Sequence, residues 1–178
     1  MDPKQLRIIK KITRLLEGIT GWEGEDDDGN PVPIVYALTG RVYRGRIVLA
    51  VGDAEDAMSI LEAPRPEVGS PAANNKIKRL ENWTVLVQGF PKDDKDHPSD
   101  PAYYMKAATE VRLARIIQEN LATGDPIYPE DFLLGGDITS LTIGQGVVRP
   151  AEAAISRLAM FYIPVVIGLT TDVSQPSV

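Results

Sequence analysis

The sequence has no cysteine, a single histidine and no long apolar run. Without cysteine there are no disulfides, no thiolate metal sites and no cysteine nucleophile. One imidazole, His97, leaves transition metals few nitrogen ligands. No stretch approaches the roughly 20 apolar residues of a membrane-spanning helix. The first residues, MDPKQLRIIKK, interleave charges with apolar side chains and contain no separate apolar core, so they do not read as a secretory signal. A cytosolic folding compartment is the expectation, and it leaves the Asn82-Trp83-Thr84 sequon without use.

The motifs of common chemistries are missing as well. His97 lies in the charged run Lys95-Asp96-His97-Pro98, and no Gly-x-Ser-x-Gly elbow exists to pair with it. Thr142-Ile143-Gly144-Gln145-Gly146 has two close glycines but lacks the third glycine, the lysine and the strand-to-helix setting of a phosphate loop. It reads as bends within a strand. Glu25-Asp26-Asp27-Asp28-Gly29-Asn30 invites a calcium reading, but an EF-hand loop needs glycine at position 6 and glutamate at 12. Counting from Asp26 puts Pro31 and Ala37 there, and placing Gly29 at position 6 puts Val35 at 12. An exposed Asp-Gly turn fits better. The composition therefore points to no catalytic residue, metal or cofactor, and a non-enzyme is expected.

What is present suits an α+β domain. The 178 residues, 43% hydrophobic and 25% charged, are enough for one core, with a single domain expected over residues 1–172 and a polar tail over 173–178. The net charge of −6 is uneven. Residues 1–16 carry Lys4, Arg7, Lys10, Lys11 and Arg14 against Asp2 alone, leaving 14 basic and 24 acidic residues in the remainder. Such an acidic body argues against general nucleic-acid binding.

Lys4 to Glu17 reads as a helix, with Leu6, Ile8, Ile9, Ile12, Leu15 and Leu16 on one arc and the five cations on the other. That basic face is either solvated or meets an acidic surface, such as a neighbouring copy of the same chain. Strands are expected over Val32–Thr39, Val42–Val51 and Met58–Glu62, the first two joined as a hairpin by Thr39-Gly40, with Gly45 marking a bulge. Residues 63–80, rich in proline and asparagine, read as a long loop whose end carries Lys76, Lys78 and Arg79. Trp83 to Phe90, apolar on both faces, reads as a central strand. After a charged loop, Asp100-Pro101 signals a helix start. Tyr103, Ala107, Val111, Ala114, Ile117 and Leu121 form the predicted buried stripe, and Glu110 within it calls for a basic partner or a subunit contact. Two last strands follow, Ile138–Arg149 and Arg157–Leu169, with Pro164 demanding an edge or a bulge and a frayed tail from Thr170. The fold class is thus α+β, a mostly antiparallel sheet of about five to six strands carrying two main helices.

That order of elements, with Trp83…Gln88-Gly89-Phe90…Asp100-Pro101-Ala102-Tyr103, Leu141-x-Ile143-Gly144…Val148-Arg149-Pro150 and Phe161-Tyr162-Ile163-Pro164-Val165, resembles the tail-terminator (tail-completion) proteins of long-tailed bacteriophages. The resemblance spans roughly Leu6 to Asp172. It implies a virion protein of the phage neck, made in the host cytoplasm, that closes into a six-membered ring. Such a ring caps the tail tube, joins it to the head connector and lets DNA pass through its lumen without specific binding. Its partners would be itself, the tail tube protein and the head connector, with no catalytic residues. The interface candidates are the five cations of the first helix, Lys76, Lys78, Arg79 and Glu110. Two rival readings are a head–tail adaptor nearer the head, and a metal-dependent enzyme using the Asp93/Asp94/Asp96/His97 loop.

Overall fold

The computed structural model describes residues 2–46, 55–63, 78–151, 158–172, 174–175 and 177. Helix α1 (Lys4–Glu17) has the predicted bounds and stops at Gly18. Its periodicity sends Ile8, Ile12, Leu15 and Leu16 into the core, but Leu6, one turn earlier, stays exposed. Strands β1 (Gly21–Glu25) and β2 (Pro31–Val35) then form an antiparallel two-stranded sheet. The acidic run is its turn. Asp26 accepts hydrogen bonds from the backbone N–H groups of Asp28 and Asn30 at 3.0 and 2.8 Å, and Gly29 takes φ of 79°, a region that favours glycine.

The expected hairpin about Thr39-Gly40 does not form. β3 (Val42–Arg44) ends at Gly45, which has positive φ, and pairs in parallel with β4 (Ala57–Glu62) instead of with β2. β5 (Lys78–Phe90) begins five residues before the predicted Trp83, so the end of the presumed loop is strand; residues 64–77 lie outside the described residues. After α2 (Asp100–Ala114) and the single turn α3 (Leu133–Gly136) come β6 (Ser140–Ile143), β7 (Val147–Arg149) and β8 (Met160–Asp172). The main sheet runs β3-β4-β5-β8-β6, with β7 on the same strand β8. The fold is α+β: a mixed six-stranded sheet, a separate two-stranded sheet and helices packed on the main sheet.

β5 is central, as expected, and its antiparallel pairing with β8 runs from Lys78↔Asp172 to Gly89↔Phe161. Trp83, Val85 and Val87 stand directly opposite Ile167, Val165 and Ile163, and all six are buried. Ile8, Ile12 and Leu16 of α1 and Met105 and Leu113 of α2 complete one cluster with them. Burying each such side chain is worth about 1.5–3 kcal/mol.

Pro164 sits in β8, an interior strand, and a bulge on the neighbouring strand accommodates it. Ile143 pairs with Val165 and Val147 with Tyr162, so residues 144–146 oppose only 163–164. Proline has no N–H to donate on the side where its carbonyl accepts from Gly144 N at 2.7 Å. A Cβ on Gly144 would lie 2.7 Å from Pro164 Cγ and 2.9 Å from its carbonyl oxygen, so the bulge needs glycine there.

The tail from Thr170 is also more ordered than its sequence suggests. β8 continues to Asp172, Lys4 Nζ donates to the Thr170 carbonyl at 2.9 Å, and Arg7 Nη1 donates to that of Ser177 at 2.8 Å. The segment 150–156 between the last strands falls, beyond Ala151, outside the described residues.

Candidate functional site

The basic face of α1 is largely engaged within the chain. Asp137, just after α3, accepts from Arg7 Nε and Nη2 at 3.1 and 2.8 Å, and Lys11 Nζ lies 2.6 Å from its other oxygen. Lys11 also donates to the Leu134 carbonyl at 2.6 Å, and Lys10 pairs with Asp2 at 2.6 Å. Burial pushes the Asp137 carboxyl up, but the hydrogen bonds from Arg7 and Lys11 outweigh it and hold it below the usual carboxylate range. Of the five cations, Arg14 alone makes no ion pair or hydrogen bond to the described residues, and it is exposed.

This hub clamps an unusual turn. Leu133, Leu134, Gly135 and Gly136 have φ of 46°, 52°, 68° and 85°, a left-handed turn in which two positions are leucine. Left-handed backbone costs a non-glycine residue about 1–2 kcal/mol. Burial of Leu134, the hydrogen bond from Leu133 N to the Ile116 carbonyl (2.8 Å) and the Lys11 contact hold it in place.

The predicted buried stripe of α2 faces outward. The buried side is Ala102, Met105, Ala108, Thr109 and Leu113, while Tyr103 and Val111 are 58% and 57% exposed. Helix α2 has apolar residues on both sides, so periodicity alone picks no side. On the buried side the Thr109 hydroxyl donates to the Met105 carbonyl at 2.7 Å, which satisfies this polar residue within the core. The helix also ends at Ala114, short of the predicted extent; Ile117 and a fully exposed Leu121 continue the apolar surface past it. Glu110, on this outward side, has the basic partner its position called for, Lys106 Nζ at 3.0 Å. The pair lies over the bulge: a Cβ on Gly146 would be 2.6 Å from Lys106 Cε and 3.0 Å from Glu110 Oε1. This ion pair therefore sits beside the start of β7, whose outer edge has no strand partner among the described residues.

Of the remaining interface candidates, Lys76 lies outside the described residues. Lys78 and Arg79 open β5, where their backbones pair with Asp172 and Thr171.

A cleft of about 440 Å³ opens between the β1–β2 turn, the 91–99 loop and the start of α2. The hairpin is fixed to α2 by the Tyr104 hydroxyl, which donates to the Glu25 carbonyl at 2.9 Å. Glu25, Asp26 and Asp27 line the cleft from the hairpin, and Asp93, Asp94 and Asp100 from the opposite side. His97 Nε2 reaches across to Asp27 at 3.6 Å. Asp94 is engaged by the backbone N–H groups of His97 and Asp96, which hold its carboxyl below the usual range. Among the described residues no three His, Cys, Asp or Glu side chains are grouped to hold a metal ion. The cleft has little signal in the sequence, because β1, one of the strands that wall it, is two glycines and two glutamates around a single tryptophan; the Asp28-Gly29 turn is its one local mark. No protein-family model matches this chain, and no curated protein matches it.

Proposed function

We propose that the chain is a structural protein of the phage neck, a tail terminator that assembles with copies of itself into a ring. The ring caps the tail tube, stops its growth and joins it to the head connector. The observation that carries this reading is the set of exposed apolar side chains on the outward side of α2, Tyr103 and Val111, and just past its end, Ile117 and Leu121, together with the unpaired outer edge of β7 among the described residues. Exposed large apolar side chains and an unpaired strand edge suit burial between copies better than exposure to water. A heterologous contact closes a ring when the rotation between neighbouring copies divides a full turn. The resemblance of the sequence to tail terminators supports the same reading. The basic face of α1 is not required for the contact, since Asp137, Asp2 and backbone carbonyls already engage most of it.

The experiment is light scattering with negative-stain imaging of the purified chain, alone and with tail tubes. Rings of six that seat on tube ends support the terminator. Rings that bind a portal-side connector and ignore tube ends support the adaptor reading instead.

A further inference from the structure

Seven carboxylates line the cleft between the β1–β2 hairpin and the 91–99 loop, and only Lys92 and His97 oppose them. The seventh, Asp56, accepts from the backbone N–H of Lys92 at 2.8 Å and enters from β4's side of the fold. Acidity alone specifies nothing, but the cleft has two further properties. Its other walls are apolar, with Ile34 and Val35 from β2 and Pro91 and Pro101 flanking the loop. And Tyr36, which lines it, is only 6% exposed and has a buried hydroxyl with no hydrogen-bond partner among the described residues. No other lining side chain leaves a buried polar atom unpaired.

The Tyr36 hydroxyl oxygen can accept from an N–H donor, the carboxylates call for positive charge and the walls for an apolar stem. Metal ions bring no donor and no stem, and no three acidic groups converge for one among the described residues. Arginine and lysine side chains have all three properties, and arginine's planar fork can engage a carboxylate and the hydroxyl together. We infer that this cleft receives a basic side chain, arginine above all, presented by a partner polypeptide. The site is independent of the ring reading, because any protein bearing an exposed arginine on a protruding segment could fill it.

The test titrates the full chain with the peptide acetyl-Gly-Arg-Gly-amide, followed by backbone amide NMR. The control peptide carries citrulline, which keeps the shape and loses the charge. Saturable shifts confined to residues 24–36 and 91–104 are expected, with affinity falling roughly tenfold or more for citrulline, the scale of charge-assisted hydrogen bonds. Tyr36→Phe keeps the ring and removes the hydroxyl, so it should weaken arginine binding severalfold while the melting temperature is retained. Asp27→Asn with Asp93→Asn should weaken it as well; both carboxylates are exposed, so folding is not at stake. Equal binding of both peptides, no saturation, or indifference to Tyr36→Phe would overturn the assignment. So would spermidine binding tighter than the peptide at the same residues, since the natural ligand would then be a small polyamine.

Discussion

Asp137→Asn tests the hub that ties α1 to the left-handed turn. The carboxylate is 13% exposed and holds Arg7 and Lys11, themselves 30% and 37% exposed. Removing one partner of a fully buried pair costs about 3–5 kcal/mol, whereas an exposed pair contributes about 0–1. Partial solvent access to both cations places this site between the limits, at about 2 kcal/mol. The asparagine carbonyl still accepts from one donor, which keeps the loss from the upper bound. For a chain of this size about 2 kcal/mol lowers Tm by roughly 4–8 °C. Urea unfolding measures it directly, with an unchanged m-value expected because no new surface is exposed. The pH dependence gives a second check. The folded carboxyl titrates below its unfolded value of about 3.9, so its contribution is complete above that pH and disappears as pH falls through the folded value. Wild type and variant should therefore differ by a constant amount from about pH 5 to 8 and converge in stronger acid. A loss under about 0.5 kcal/mol at neutral pH, the size of an ordinary surface substitution, would refute the hub as a structural element.

Gly144→Ala should cost about 1–3 kcal/mol, because its Cβ meets the backbone oxygen and ring of Pro164 in an interior strand. Gly146→Ala should cost less, since the nearest atom is the mobile end of Lys106; the ranking is read from paired denaturation curves. Val111→Glu should leave monomer stability within about 0.5 kcal/mol, as an exposed helix position with Arg115 four residues on. It should nevertheless abolish self-association in sedimentation velocity, and intact rings would place the interface elsewhere. Lys11→Glu sets a carboxylate against Asp137 and should lower Tm, whereas Arg14→Glu should not; equal melting curves would deny the different roles of these neighbours.

The elements that were legible in the sequence have one unambiguous period. In α1 every apolar residue but Leu6 and Ile9 is buried, and both ends of the helix match. The alternation of Trp83, Val85 and Val87 marks β5 as central because both its faces carry apolar groups. Where periodicity admits two answers, tertiary contacts decide. In α2 the side carrying Met105, Thr109 and Leu113 packs into the core and the predicted core stripe faces water, with the Thr109 hydroxyl satisfied on the Met105 carbonyl of its own helix. β1, Gly-Trp-Glu-Gly-Glu, has almost no strand propensity, and it forms through its ladder to β2 and its tie to Tyr104. Asp137 is 130 residues from Arg7 and carries no local mark of its role. Tyr36 likewise gains its significance only when the hairpin, the 91–99 loop and α2 enclose it.

The central claim, that this chain terminates a tail tube, is tested most directly by adding the purified protein to polymerising tail tube protein. The account predicts rings at one end of each tube and tube growth that stops when they bind. Val111→Glu should lose both effects while remaining folded. Tubes that lengthen unchanged, with no protein at their ends, would contradict it.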